Sequence, residues 1–311
     1  MVEYKEYLTS FLARPHDLKK IIVVYWPTAS GKSSLAVEVG KYLKKCGYNP
    51  HIISADSRQV YRGLNVGTGK ITKDEMGWIP HHMLDVIDPS EKYSMIDFRR
   101  DVDALPLWED EKNIAILCGW TGLYLDAVLY DMAFPENPPD WKYREELELI
   151  RAEKGNEHLW NMLFEVDPDY AKELSPSNYR YIIRGLEVIR DTGKSKRESH
   201  HTKQLRFDPF FLTPYSDSPE NRKVLYEKIN LRVALMFNNW LIDEVIYNIE
   251  KFGAHCPGLE TIGYKEVVDF LEGKTTREIA LNLVQQHSRN YAKRQITWNK
   301  RYGSYNPTFS W

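Results

Sequence analysis

The chain of 311 residues is poor in cysteine, and its three (Cys46, Cys118 and Cys256) show no paired spacing. That excludes a disulfide framework and a cysteine zinc site, and it fits a reducing compartment. No run approaches the ~18 apolar residues of a membrane span. The opening stretch carries Lys5, Arg14, Lys19 and Lys20 among mixed polar residues and has no apolar leader segment. A cytoplasmic location without membrane contact is expected. An excess of one charge is missing too. With 42 Lys and Arg against 44 Asp and Glu, the net charge is −2. No global basic field announces nucleic acid, so any such surface must come from local clustering. Internal repeats and low-complexity tracts are also absent.

What is present is an alternation of short apolar runs with helical patterns. The β-branched run Ile21–Tyr25 leads into Pro27-Thr28-Ala29-Ser30-Gly31-Lys32-Ser33, then into an amphipathic helix with Leu35, Val37, Val39 and Leu43 on one side. Further strands are predicted at 51–55, ending in Asp56, and at 113–118, with helices near 94–108 and from Thr121. This rhythm predicts an α/β fold, a P-loop NTPase-like parallel sheet with helices on both faces. Ligands then belong at the carboxyl ends of the strands, where 26–33, 56–59 and 119–121 all fall.

A proline cluster at 134–140 interrupts the pattern, and the sequence from Trp141 to Gly193 reads as helix alone. The expected organisation is a core of residues 1–134 and 194–311 with a helical insertion at 135–193. A short strand at 210–212 and long helices at about 219–252, 262–272 and 276–302 complete the core.

The turn at 27–33 suits a diphosphate. Backbone N–H groups of Thr28, Ala29, Ser30 and Gly31 and the following helix N-terminus would cradle it, and Lys32 would add a point charge. Ser33 would place its hydroxyl on Mg²⁺. The pattern G-x-x-x-x-G-K-[ST] has glycine where this chain has Trp26. The run Asn113–Cys118 ends in Cys118-Gly119, without the acidic residue that an ATPase carries on its metal-binding strand. Asp56, at a strand tip beside a phosphate loop, is open to three readings: metal ligand, general base or N-cap.

Read in order, a set of segments resembles the tRNA dimethylallyltransferases, also called tRNA isopentenyltransferases. They are Pro27–Ser33, Ser54–Tyr61, Gly67–Lys70, Pro80–Asp85, Asp97–Arg99, Gly119 with Thr121–Tyr124, Ile182–Val188, Gly263–Glu266 and Ala292–Trp298. The resemblance runs from about residue 20 to about 301. It implies transfer of a dimethylallyl group from dimethylallyl diphosphate to the exocyclic N6 amine of the adenosine just 3′ of the tRNA anticodon, with Mg²⁺ as cofactor. By the same resemblance Asp56 is the general base, and Thr28 and Arg232 attend the diphosphate. Asp56, Ser57, Arg58, Gln59 and Thr121 lie at the substrate nucleotide, and Arg180 and Arg184 contact tRNA. Arg232 has an ordinary reading as well, a solvated helix-face arginine, and Thr121 has one as the cap of its helix.

The chemistry agrees with these residue types. Diphosphate leaves readily only when its growing charge is neutralised, which Lys32, Mg²⁺ and turn N–H groups can do. An adenine amine is a weak nucleophile, and a carboxylate accepting its proton would help. Local basic clustering occurs late in the chain: Arg289, Lys293, Arg294, Lys300 and Arg301 share one predicted helix with Tyr291 and Trp298 and no carboxylate among them. Phosphate contact with the anticodon stem-loop is the expectation there. The protein is expected to be a monomer. Competing readings are an adenylate (AMP or ADP) prenyltransferase, a P-loop kinase, and a tRNA-binding protein without catalysis.

Three tryptophans depart from the family pattern at glycine positions: Trp26, Trp120 and Trp240. An indole there can block left-handed backbone and fill space reserved for phosphate or substrate. Either the enzyme is altered, or these codons are UGA in an organism that reads UGA as glycine. The intact polar residues around them favour the second.

Overall fold

The structure is a computed structural model that describes residues 3–132, 140–198, 204–213 and 217–302. The chain divides into two compact units, one of 1–130 with 205–311 and one of 131–204. In the first unit α1 (Glu3–Ala13) precedes β1 (Lys20–Tyr25), α2 (Lys32–Lys45), β2 (Asn49–Ala55), β3 (His81–His82), α3 (Met95–Asp103), β4 (Asn113–Gly119) and α4 (Gly122–Leu129). The second unit contains α5 (Trp141–Lys154), α6 (Asn156–Val166), α7 (Pro168–Lys172) and α8 (Tyr179–Thr192). The chain then returns to the first with β5 (Asp208–Leu212), α9 (Pro219–Asn238), α10 (Leu241–Phe252), α11 (Tyr264–Leu271) and α12 (Arg277–Asn299).

The five strands form one sheet in the order β3-β2-β4-β1-β5, parallel throughout. Both faces are covered, so the central strands are continuous apolar runs. Ile21, Val23, Tyr25, Ala115 and Leu117 point into one layer, with Leu125 and Val128 of α4 and Val233 and Phe237 of α9. Ile22, Val24, Ile114, Ile116 and Cys118 point into the other, against Leu35, Val39 and Leu43 of α2 and Leu8 of α1. The register pairs Tyr25 with Gly119 and Gly119 with Ala55. Three strand tips thus end level, and the loops after β1, β2 and β4 open at one edge. A Cβ on Gly119 would lie 2.3 Å from the Ala55 carbonyl oxygen, so only glycine allows this pairing at the tip.

Two predicted helices are shorter than their periodicity implied. The pattern at 94–108 breaks after Asp103, because Pro106 cannot donate to a continuing helix, and a short 3₁₀ turn follows at Pro106–Glu109. The pattern at 219–252 divides at Asn239–Trp240, where Trp240 takes left-handed angles (φ 70) and starts α10. The two-residue strand β3 gives no periodic signal and was not expected. The proline cluster at 134–139 lies outside the described residues.

In the second unit the helices close around Leu147, Leu159, Leu163, Ile182, Ile183 and Leu186. Glu187, buried, accepts two bonds from the Arg144 fork (2.7 and 2.9 Å) and one from Arg184 (3.2 Å). Removing the carboxylate would take the shared ion-pair partner from two guanidinium groups, so this cluster ties α5 to α8. Arg184 is thereby held by its own helix, while Arg180 and Tyr181 stay exposed.

Candidate active site

The loops at the sheet's carboxyl edge enclose a cavity of about 510 Å³, lined among others by Thr28, Lys32, Ser33, Asp56, Gln59, Thr68, Trp120 and Arg232. The turn after β1 reverses direction through left-handed angles at Ala29 (φ 62) and Gly31 (φ 90), and α2 begins at once at Lys32. No side chain caps that helix, so its first N–H groups remain available to water or an anion. The Thr28 N–H donates to Gln295 Oε1 of α12 at 2.9 Å, and the buried Ser30 hydroxyl has no hydrogen-bond partner. Both features suit a loop held from behind and open toward an anion.

Two cations share the cavity. Lys32 Nζ donates to the Pro27 carbonyl at 2.9 Å, and burial pulls its pKa down to about 8, with Arg232 pressing in the same direction. Arg232 comes from α9, far away in sequence. It donates to Thr28 Oγ1 and to the Thr68 carbonyl, both at 3.2 Å, and burial lowers its pKa as well. A Cβ on Gly69 (φ 57) would stand 1.5 Å from Arg232 Nη2, so that glycine makes room for the guanidinium. Of the two readings of Arg232, the solvated one does not hold.

Asp56, buried at the tip of β2, forms an Asx turn: its Oδ1 accepts from the Arg58 N–H at 2.8 Å. No helix starts there, so the N-cap reading lapses. Its Oδ2 accepts from Trp120 Nε1 at 2.8 Å. A carboxylate offers about four lone-pair sites, and each oxygen therefore keeps acceptor capacity. Thr121 is the first residue of the α4 turn, but its hydroxyl makes no cap bond; it accepts from the Ser57 N–H at 3.1 Å and ties the β2 loop to the β4 loop. Gln59 lies beneath, receiving the Ser54 hydroxyl at 3.2 Å and reaching the Thr68 carbonyl at 3.5 Å.

Of the residues singled out from sequence, Thr28, Ala29, Gly31, Lys32, Ser33, Asp56, Gln59 and Arg232 line this cavity, whereas Ser30, Ser57, Arg58 and Thr121 stand in the adjoining loops outside its lining. Arg289, Lys293 and Arg294 lie on α12, which carries Gln295 to the phosphate loop. Arg289 donates to Asn230 Oδ1 (2.5 Å), and Arg294 lies over the Tyr291 ring at 5.4 Å. Lys293 and Arg294 are exposed, whereas Lys300 and Arg301 find Asp217 and Asp126 from other elements. Arg180 and Arg184 belong to the other unit. His81 and His82 serve structure: His82 stacks on His51, with ring nitrogens 3.0 Å apart.

The tryptophans differ among themselves. Trp26 faces away from the cavity into the core, edge-on to Tyr25. Trp120 lines the cavity and rests edge-on against Tyr291, with ring centres 4.4 Å apart. Lys70 also lines the cavity, and Gln295 and Tyr291 touch its Thr28 and Trp120 from α12. Their positions depend on contacts between elements distant in the chain, and no local spacing signals that.

Among the described residues no three His, Cys, Asp or Glu side chains converge as a metal cage. The oxygen donors that are present, the exposed Ser33 hydroxyl beside a phosphate cradle, suit a hard cation that takes its other ligands from substrate oxygens and water.

Residues 59–302 match the family model described as IPP transferase. A tRNA dimethylallyltransferase of Oceanobacillus iheyensis is 40% identical over 281 residues, covering 89% of this chain and 87% of that one. One of Caldanaerobacter subterraneus is 38% identical over 290 residues, covering 91% and 89%. Among solved structures, the tRNA isopentenylpyrophosphate transferase of Bacillus halodurans (37% identity) covers 94% of this chain and 90% of its own, with a TM-score of 0.64. A eukaryotic dimethylallyltransferase acting on tRNA, 26% identical, covers 94% and 74% with a TM-score of 0.77.

Binding of inorganic diphosphate without divalent metal should report Lys32. The anion needs the ammonium form, and binding raises its pKa above the free value near 8. The lysine-dependent part of the affinity, taken as the ratio of wild type to Lys32→Met so that titration of diphosphate itself cancels, should therefore be level below pH 8 and fall by up to about tenfold per pH unit above it. Calorimetry against a Lys32→Met variant checks this, since the variant lacks that component of the fall.

Proposed function

The chain belongs to the IPP transferase family, and from that premise we propose the reaction it carries out. It transfers a dimethylallyl group from dimethylallyl diphosphate to the N6 amine of the adenosine 3′-adjacent to the anticodon of tRNA. The observation that carries this reading is the pairing, in one cavity, of an anion cradle bearing two buried cations with a carboxylate at Asp56.

The residues divide the work. N–H groups of the 28–33 turn, Lys32 and Arg232 bind the diphosphate and take up the charge that grows on it as the C1–O bond breaks. Thr28 accepts a bond from Arg232, and its own hydroxyl proton can then be given to the bridging oxygen. Asp56 orients the amine, and its carboxylate takes the N6 proton as the new C–N bond forms. Gln59 lines the cavity and would meet the base, its amide being suited to an adenine edge, with Ser57, Arg58 and Thr121 beside it in the loops after β2 and β4. A base must leave the loop stack to reach this depth. Ser33 would hold Mg²⁺ together with diphosphate oxygens, and the ion would supply further neutralisation of the leaving group.

On the tRNA side, Arg180, Arg184, Arg289, Lys293 and Arg294 are the proposed phosphate contacts. An adenylate substrate is not favoured, since a mononucleotide requires neither the helical unit at 131–204 nor basic side chains along α12. A kinase or a binding protein without catalysis is likewise unsupported by the family. We place the enzyme in the cytoplasm as a monomer; no helix among the described residues is long and apolar enough to cross a membrane.

Asp56→Asn should lower turnover by about 10²–10⁴-fold while an anticodon stem-loop binds as to the wild type. Single-turnover prenylation with a filter-binding control tests it, and unchanged turnover would remove Asp56 from the base role. Arg294→Ala should weaken stem-loop binding and reduce the slope of log affinity against log salt by about 1. Transfer to AMP with none to the stem-loop would overturn the tRNA assignment.

A further inference from the structure

The loop at Asn65–Lys70 forms one wall of the cavity, and a carboxylate outside the cavity holds it. Glu244, in the first turn of α10, accepts the N–H groups of three successive residues: Asn65 and Val66 at 2.8 Å and Gly67 at 3.1 Å. The Tyr264 hydroxyl adds a fourth bond at 2.5 Å. Three consecutive N–H groups turned to one point form a concavity for an anion, and here a side chain of the protein fills it. A Cβ on Gly67 would stand 2.5 Å from the Tyr264 ring, so the loop is seated against that ring with no slack. One residue beyond the seated segment, the Thr68 carbonyl receives both Arg232 and Gln59.

We propose that Glu244 is a positioning residue for the diphosphate site: by plugging the N–H concavity at 65–67 it fixes the Thr68 carbonyl, and through it Arg232 and Gln59. Glu244 does not line the cavity and touches no substrate. The proposal rests on the cavity being a diphosphate site, and wild-type prenyl transfer tests that reading separately. Glu244→Ala leaves the concavity open, and its affinity for inorganic diphosphate falls by about tenfold to a hundredfold. Added formate enters the vacated place and restores most of that affinity in a saturable way. Glu244→Gln loses affinity too, but its side chain occupies the space and formate does not help. Calorimetry with inorganic diphosphate reads all three proteins whether or not they turn over. Either variant binding diphosphate as the wild type does would overturn the proposal. So would a folded Glu244→Ala protein that formate leaves unimproved.

A separate observation concerns the backbone. Among the described residues five that are not glycine have positive φ, and two of these are tryptophans: Trp78 (φ 61) and Trp240 (φ 70). Left-handed angles are a true outlier for a bulky side chain. Both indoles project into solvent, 95% and 74% exposed, so burial does not compensate. Trp240 also opens a helix without a side-chain cap, at a position where glycine is accepted. Trp26 replaces the first glycine of the phosphate-loop pattern, and Trp120 sets an indole against Asp56 inside the cavity. By contrast, Trp108 and Trp160 donate their indole N–H groups to backbone carbonyls of their own neighbourhoods.

We infer that positions 26, 78, 120 and 240 are glycine in the cell of origin, through UGA codons read there as glycine. Peptide masses of the protein from its native cells, beside the gene sequence, decide this independently of any activity. Glycine masses and UGA codons at all four are expected; UGG codons or tryptophan masses overturn it. As a second readout, Trp78→Gly and Trp240→Gly should each raise Tm by about 2–4 °C. A loss of Tm in both would count against glycine there.

Discussion

Two cations confined in one desolvated cavity are the constraint on which the rest of the site depends. Burial lowers the pKa of both Lys32 and Arg232, and the guanidinium presses the lysine further down. One carboxylate, Asp56, offsets part of this charge and acts on both at a distance. Such an arrangement is costly unless a polyanion completes it. The protein therefore holds its cradle ready by other means. Gln295 fixes the Thr28 N–H from α12, and Glu244 holds the opposite loop from α10. The C-terminal helices thus support the strand-tip loops and also supply one of the two cations, Arg232.

That division explains what could be read from the sequence and what could not. The sheet was legible because strands buried on both faces are continuous apolar runs, and Ile21–Tyr25 and Asn113–Cys118 look like nothing else. The turn at 27–33 was legible as a unit because its signal is local: seven consecutive residues offer backbone N–H groups, a cation and a hydroxyl. Asp56 became readable only in company, since an aspartate at a strand tip has several uses. Arg232 could be suspected by likeness alone, because an arginine on a helix usually faces solvent. What turns it inward is Gly69, 163 positions earlier, whose missing side chain leaves space for the guanidinium. No periodicity in either segment announces that partnership.

Long helices were harder to bound than strands. Apolar spacing continues across 219–252 because both α9 and α10 bury a face, so the pattern conceals the break at Asn239–Trp240. That break is what lets α10 turn back and bring Glu244 to the 65–67 loop. Thr121 shows a related ambiguity. A threonine before a helix reads as a cap, yet its hydroxyl is spent on the Ser57 N–H, binding two strand-tip loops to each other. A residue type restricts the bonds that a side chain can make, while the register of the sheet decides which of them is within reach.

The same register determines what Asp56 can accept. Its Oδ1 is committed to the turn by the Arg58 N–H, so the orientation of the carboxyl plane is set before any substrate arrives. Its Oδ2 faces the cavity, and the group now in contact with it is an N–H on a flat aromatic ring, 2.8 Å away. An adenine presenting its exocyclic amine offers the same kind of donor from the same side. The Trp120 indole therefore shows that Oδ2 is open to an aromatic N–H entering from the cavity. In the proposed reaction glycine at 120 would leave the space in front of Oδ2 open to the amine, and the 27–33 turn and Asp56 would act as two halves of one site.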